Sequence, residues 1–193
     1  YSSKSKICNF HTPLGIGACD ISSEHFIAFV AHDTSVYMFD IGTRKQIQSS
    51  IELNYKVTNI SIDDEASVVW IAGGCNVTVC SISGEILFET ILHNEITTIY
   101  ASPLPEYIMN RFASVGHQDG SVSFLGFSYQ FMKIIILHRI RISEQPILRI
   151  KVNSKANRAI AVAADNTLFD FEYIGTPLKP LDIKYAAECA NCN

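Results

Sequence analysis

The sequence carries little charge, and its basic residues are outnumbered. Lys and Arg total 15 against 19 Asp and Glu, and charged residues make up only 18% of the 193 residues. Domains that bind nucleic acid usually show a basic excess, so the composition argues against nucleic acid as a partner. No apolar run approaches the roughly 18 residues that a membrane-spanning helix requires. We therefore expect any membrane association to be indirect.

Sequence motifs that carry catalysis are also missing. The chain contains no Gly-x-Ser-x-Gly elbow and no glycine-rich phosphate loop. His32 and His117 each lie near an aspartate in sequence, but a His–Asp pair needs a positioned serine or cysteine nucleophile to form a triad. We expect a protein that is not an enzyme and that uses no cofactor.

Cysteine is present without the dense spacing of small disulfide-rich domains. The six cysteines are Cys8, Cys19, Cys75, Cys80, Cys189 and Cys192. Four of them lie in apolar, strand-like segments, where a free cysteine behaves as a small hydrophobic residue. The pattern favours reduced thiols over a disulfide framework, and we expect a cytoplasmic protein.

Two-residue alternation of apolar and polar positions dominates the sequence, and no helical period competes with it. Four segments, each an apolar strand, a polar turn and an alternating strand, superpose on Val36, Val77, Val122 and Leu168. These anchors are separated by 41, 45 and 46 residues. A four-stranded propeller blade repeats at roughly 40–45 residues, so the spacing predicts four blades.

The remaining strands of each blade can be placed around these hairpins. Inner strands are predicted at residues 16–21, 57–62, 96–101 and 147–152, and outer strands at residues 46–53, 86–92 and 131–140. The fourth blade shows no clear outer strand. The first, second and fourth hairpins align without gaps, whereas the third is one residue longer in its turn.

The third hairpin resembles the hairpin of WD-repeat proteins. Residues 116–125 read Gly-His-Gln-Asp-Gly-Ser-Val-Ser-Phe-Leu, Leu92-His93 resembles the Gly-His turn of the family, and Ala101-Ser102-Pro103 resembles its Phe-Ser-Pro. The Trp-Asp pair is replaced in every blade. The resemblance implies an all-β propeller fragment of about four four-stranded blades forming a partial ring. It also implies structural turn roles for Asp33, His93, Asp119, Gly120 and Asp165.

The blade count suggests part of a larger ring, since WD-repeat propellers usually have seven or eight blades. We expect residues 1–13 to end a preceding blade or to form a linker, residues 14–175 to form four WD-like blades, and residues 176–193 to form a linker and the start of a zinc finger. The last assignment rests on Cys189 and Cys192, whose Cys-x-x-Cys spacing supplies half of a zinc site. Zinc binding would require ligands beyond Asn193.

Cys189 and Cys192 follow the propeller in a segment that resembles the opening of a FYVE-type finger, as in BEACH–WD–FYVE proteins. The resemblance implies an interaction scaffold in a BEACH-type trafficking or autophagy protein, located at the periphery of endomembranes. The alternative is a membrane-targeting module with a FYVE-type finger. Other proteins are the expected partners, and the loop with Pro103, Pro105 and Tyr107 is the predicted contact. One basic cluster is interpreted as charged strand edges, or as a patch for an acidic partner or membrane surface: Lys133, His138, Arg139, Arg141, Arg149 and Lys151.

Overall fold

A computed structural model describes residues 15–102, 111–128, 133–153 and 158–172, and within them the chain forms strands and no helix. The strands, in chain order, are β1 (Ala18–Ser22), β2 (Ile27–His32), β3 (Ser35–Asp40), β4 (Lys45–Glu52), β5 (Asn59–Asp63), β6 (Val68–Gly73), β7 (Asn76–Ser81), β8 (Ile86–Ile91), β9 (Ile96–Ala101), β10 (Phe112–His117), β11 (Ser121–Ser128), β12 (Lys133–Arg141), β13 (Ile147–Val152), β14 (Arg158–Ala163) and β15 (Leu168–Glu172).

These strands form four antiparallel meanders that follow one another along the chain. The first sheet is β1–β4, the second β5–β8, the third β9–β12 and the fourth β13–β15. The inner strands β1, β5, β9 and β13 contact one another in that order, and the described sheets form an open series rather than a closed ring. The predicted fold class, a partial β-propeller of about four blades, is confirmed. Among the described residues, the fourth sheet has three strands.

The core consists of three apolar layers, one between each pair of neighbouring sheets. Strand β6 shows how the layers are built, because all six of its residues are buried. Val69 and Ile71 face the first sheet, while Trp70 and Ala72 face the third. Since side chains alternate between the two faces of a strand, a strand sandwiched between sheets must be apolar at consecutive positions. Trp70 is fully buried, 5.7 Å from the ring of Phe127.

The central hairpin turns are of two kinds, and here the predicted alignment was wrong. In the first two sheets the turn is short, as the pairing of Ala31 with Val36 shows. In the third and fourth sheets the turn holds one more residue, as the pairing of Val162 with Leu168 shows. The fourth hairpin therefore matches the third and not the first two. The alternating pattern did not reveal this, because the extra residue lies in the turn, outside the paired strands.

The turn of each of the first three sheets binds the linker that leads into the next sheet. In the first sheet the Val57 and Leu53 amides donate to the carbonyls of Asp33 and Thr34, at 2.7 and 2.9 Å. Gly74 and Cys75 accept equivalent bonds, both of 2.7 Å, from the amides of residues 96 and 92. The Gly120 carbonyl accepts from the amides of residues 142 and 143, both at 3.1 Å. We call these bonds the linker clamp.

One turn residue of each clamp has left-handed backbone geometry. Asp33, Gly74 and Gly120 have φ of 52°, 56° and 78°, a region that glycine enters readily and other residues enter at a cost. At Gly120 a second constraint applies, because an added Cβ would lie 2.1 Å from the carbonyl oxygen of Ser143. The clamp therefore requires glycine in the third sheet.

We expect Gly120→Ala to destabilise the chain by roughly 2–4 kcal/mol, from left-handed strain and from the clash with the linker backbone. Gly42→Ala is the matched control, since Gly42 is exposed, lacks a left-handed φ, and its added Cβ would meet only the Asp40 side chain at 3.3 Å. Urea denaturation of the two variants measures the difference. Equal losses of unfolding free energy would contradict the clamp.

A candidate partner-binding groove along the inner strands

The inner strands of all four sheets line two adjoining cavities, which together we call the inner-strand groove. Its amino end, about 600 Å³ in volume, is formed mainly by residues 17–18, 58–59, 95–98 and 149. Its carboxyl end, about 320 Å³, is formed mainly by residues 20, 61–65, 101 and 151. Cys19, Ile60, Ile99, Tyr100 and Lys151 line both ends. The groove is therefore built from equivalent positions of successive sheets.

One position of the inner strand links each sheet to the next. Asp20 accepts a hydrogen bond from the Ile62 amide, and Ser61 accepts one from the Ala101 amide, both at 2.9 Å. Asp20 and Ser61 occupy equivalent registers, as their pairing with β2 and β6 shows. The free edge of an inner strand leaves backbone amides without a strand partner, and a polar side chain from the preceding sheet satisfies them.

In the third and fourth sheets the residues at this inner-strand position contact each other instead of binding a backbone amide. Tyr100 is the equivalent residue of β9, and Lys151 is the equivalent residue of β13. The Lys151 ammonium lies 3.9 Å from the centre of the Tyr100 ring, a cation–π contact. Burial, with a smaller contribution from Asp20, raises the pKa of Tyr100, so its hydroxyl stays neutral at physiological pH.

Acidic residues concentrate at the carboxyl end. Asp63 is 3% exposed and lies 3.6 Å from the Arg111 guanidinium, while its Oδ1 also accepts from the Ala66 amide at 3.2 Å. Burial raises the pKa of Asp63 to about 6, against the opposing attraction of Arg111. Burial also acts on Asp64, but hydrogen bonds from the Ser22–Ser23 turn outweigh it and lower the pKa of that carboxyl.

The amino end carries mixed polarity. Thr97 donates a hydrogen bond from its hydroxyl to the Ile147 carbonyl and so joins the third sheet to the fourth. Glu95 and Arg149 place one charge of each sign on the wall, beside the half-buried Asn59. The thiol of Cys19 is free on an exposed residue. This end offers hydrogen-bond donors and acceptors to a ligand, with little net charge.

The turn of the third sheet holds a polar network around Asp119. Its carboxylate accepts hydrogen bonds from the Ser121 hydroxyl (2.6 Å) and amide (3.0 Å), from the Asn94 amide group (2.6 Å) and from the Arg139 guanidinium (2.8 Å). Burial raises the pKa of Asp119, but these donors outweigh it and the pKa is lowered. The carboxylate therefore stays ionised as the centre of a structural network.

His117 lies beside this network and is buried. Its Nε2 is 2.8 Å from the Ser123 hydroxyl, and its Nδ1 is 3.3 Å from the Asn94 carbonyl. Burial lowers the pKa of His117, and the Arg139 charge adds to that effect, which favours the neutral imidazole. Ser123 is 2% exposed, so this Ser–His pair is closed to a substrate in the described conformation and joins two adjacent strands.

The turn residues singled out from the sequence occupy the central hairpins, with one difference. His93 is exposed, and the next residue, Asn94, holds Asp119. Asp33 lies in the linker clamp with Gly120. Asp165 accepts from the Thr167 amide at 3.0 Å, as Asp119 does from Ser121. Asn94 was missed because it is short, polar and adjacent to the histidine that the family pattern marks.

Several other predicted site residues lie outside the described part of the chain. These are Pro103, Pro105, Tyr107, Cys189 and Cys192. Within the described ranges, no group of three acidic, histidine or cysteine residues is placed to hold a metal ion. The same ranges hold no helix of the length and apolarity needed to cross a bilayer.

The six residues of the predicted basic cluster lie on two strands, β12 and β13. Arg139 belongs to the Asp119 network, Lys151 contacts Tyr100, and Arg141 lies 3.9 Å from Glu144. Lys133 begins β12 in the third sheet, whereas Arg149 lies on β13 in the fourth. Arg139, Arg141 and Lys151 are therefore engaged in local contacts, and Arg149 lines the groove.

The buried Asp63 carboxyl predicts a pH-dependent stability. Because its pKa is raised in the folded chain to about 6, from an ordinary value of 3.8, protonation stabilises the folded state at low pH and that contribution is lost as pH rises through 6. Relative to Asp63→Asn, the wild-type chain should lose up to about 3 kcal/mol between pH 4 and pH 7. Urea denaturation at both pH values measures this. A constant difference between the two proteins would contradict it.

Comparison with known proteins finds propeller structures and no sequence relative. No family model and no curated protein sequence matches the chain. A chain of the mitotic checkpoint complex matches with a TM-score of 0.68 at 13% identity, covering 82% of this chain and 49% of its own length. The protein U3-55K matches with a TM-score of 0.64 at 9% identity, covering 84% and 53%.

Both matches are WD-repeat propellers. The chain spans about half the length of each. At these identities the likeness concerns the fold alone, and it agrees with the four-sheet arrangement described above. The chain has the fold of a WD-repeat-type β-propeller.

Proposed function

We propose that this chain is a non-catalytic protein-interaction scaffold whose inner-strand groove binds a segment of a partner protein. The observation that carries the proposal is the groove itself, which crosses all four sheets and is lined by polar and charged side chains at both ends. Ligand sites are typically concave, with a few polar groups that fix the ligand's orientation. Because the groove runs across four successive inner strands, it suits an extended polypeptide.

The groove runs along the free edges of the inner strands, where backbone groups have no neighbouring strand to pair with. Inner strands carry a strand neighbour on one side only, and the edge groups that Asp20, Ser61 and Thr97 do not already bind are available to a ligand. Thr58 and Arg149 are exposed on this wall. A bound segment would find backbone and side-chain partners together, which is the basis of recognition at sheet edges.

The type of parent protein, its location and a second contact loop are proposed from the sequence. We infer a cytoplasmic scaffold of a BEACH-type trafficking protein from the resemblance of the segment around Cys189 and Cys192 to a FYVE opening. The loop with Pro103, Pro105 and Tyr107 is proposed as a second contact, and residues 1–13, 14–175 and 176–193 as the three segments of the chain. Sequencing the parent transcript beyond Asn193 tests the zinc-finger alternative, which requires further Cys-x-x-Cys pairs there.

Site-specific photo-cross-linking tests the groove. With p-benzoylphenylalanine at Thr58, we expect ultraviolet irradiation in cells to yield discrete cross-linked polypeptides. The matched control places the same residue at Ile91, which is 75% exposed on the outer strand β8. Mass spectrometry should identify polypeptides that are enriched at least about fivefold at Thr58, in line with specific contacts at one surface. Equal capture at both positions would contradict a groove function.

A further inference from the structure

The carboxyl end of the inner-strand groove has an excess of negative charge at close range. Its lining includes Asp20, Asp63, Asp64 and Glu65, against the single ammonium group of Lys151. Arg111 lies behind this wall and pairs with Asp63. A concave site with low-dielectric walls concentrates the field of such charges, so the site attracts cations.

Two carboxylate oxygens in this site have no hydrogen-bond donor. Asp63 Oδ2 and Asp64 Oδ1 are buried atoms that lack a partner among the described residues. Buried polar atoms are nearly always paired. Because Asp63 and Asp64 both line the cavity, a cationic donor that enters it could pair with these oxygens once the carboxylates turn toward it.

The chain already places a cation in this cavity. The Lys151 ammonium lies against the face of Tyr100, and within the described residues it forms no ion pair with the surrounding carboxylates. The aromatic face thus holds one ammonium group while the acidic wall beside it keeps free acceptors. A second cationic group, or one that displaces Lys151, would contact both the Tyr100 ring and the carboxylates of the acidic wall.

We propose that this corner, which we call the acidic pocket, binds the lysine or arginine side chain of a partner polypeptide. Lys151 occupies part of it until the partner arrives. The proposal rests on the proposed scaffold function and names the chemistry of the segment that the groove accepts. Charge complementarity commits the pocket to a basic residue, since an acidic or apolar one would leave the carboxylates unsatisfied.

Disulfide exchange at Cys19 tests the pocket without a partner, because Cys19 is exposed and lines it. The protein is equilibrated with cystamine and 2-hydroxyethyl disulfide. Each exchange forms a mixed disulfide that carries an aminoethylthio or a hydroxyethylthio group of similar size, and releases cysteamine or 2-mercaptoethanol. Mass spectrometry then quantifies both adducts. We expect the aminoethyl group to be favoured at Cys19 by about three- to fivefold, the effect of one exposed cation–π or ion-pair contact. Cys75, half-buried elsewhere, is the internal control with a ratio near one.

Variants separate the pocket from a general charge effect. Glu65→Gln and Asp64→Asn should each lower the Cys19 ratio, and Lys151→Met should raise it by vacating the Tyr100 ring. Lys133→Met, which removes an exposed lysine at the start of β12, should leave it unchanged. Glu65 is exposed, so Glu65→Gln remains informative if Asp64→Asn fails to fold. Equal ratios at Cys19 and Cys75, or no response to Lys151→Met, would overturn the proposal.

The cross-linking experiment connects the pocket to the partner. Glu65→Arg should reduce capture through Thr58 by at least about fivefold, because the new guanidinium repels the basic residue. Unchanged capture would overturn the pocket while the scaffold function stands. Failure of capture in the wild-type protein, with the expected exchange ratio at Cys19, would instead reject the scaffold function, and only the preference of the pocket for a cation would stand.

Discussion

The carbonyl oxygens of the central turns hold the arrangement together. A single hairpin sheet cannot bury its two faces alone, so each must be fixed against its neighbour, and the chain achieves this through the linker between them. The turn residue adopts a left-handed backbone at Asp33, Gly74 and Gly120, and its carbonyl accepts a linker amide. Because the bond uses backbone atoms, side chains may differ in every sheet while the sheet-to-sheet geometry repeats.

Apolar packing follows from that geometry. Once the second sheet is held between the first and third, both faces of β6 must be apolar, and Trp70 fills one of them at zero exposure. The cost of exposing such a face, roughly 25 cal/mol per Å² of apolar surface, explains why β6 is apolar at every position. The exposed Ile160 and Leu168 show that the far face of the fourth sheet is less covered.

Much of the fold could be predicted from the sequence, because strand positions depend on a two-residue period that side chains display directly. The bounds of β9 and β13 agree with the prediction, and the other predicted inner and outer strands differ by at most two residues at either end. The turn alignment could not be predicted, since loop length has no periodic signal. The groove was also missed: Asp20, Ser61, Tyr100 and Lys151 share no residue type, and only the sheet register shows that they are equivalent.

The residues at the equivalent inner-strand positions differ in type, whereas the contacts that fix the fold are made by backbone atoms. A position that holds the fold through backbone atoms places weak demands on the side chain, apart from turns that need glycine. The inner-strand position links each sheet to the next with an aspartate, a serine and a tyrosine–lysine contact in turn. Because different side chains can make this sheet-to-sheet contact, the residue type at this position can vary along the groove. The resulting order of charged, polar and aromatic side chains along the groove is what a bound partner would contact.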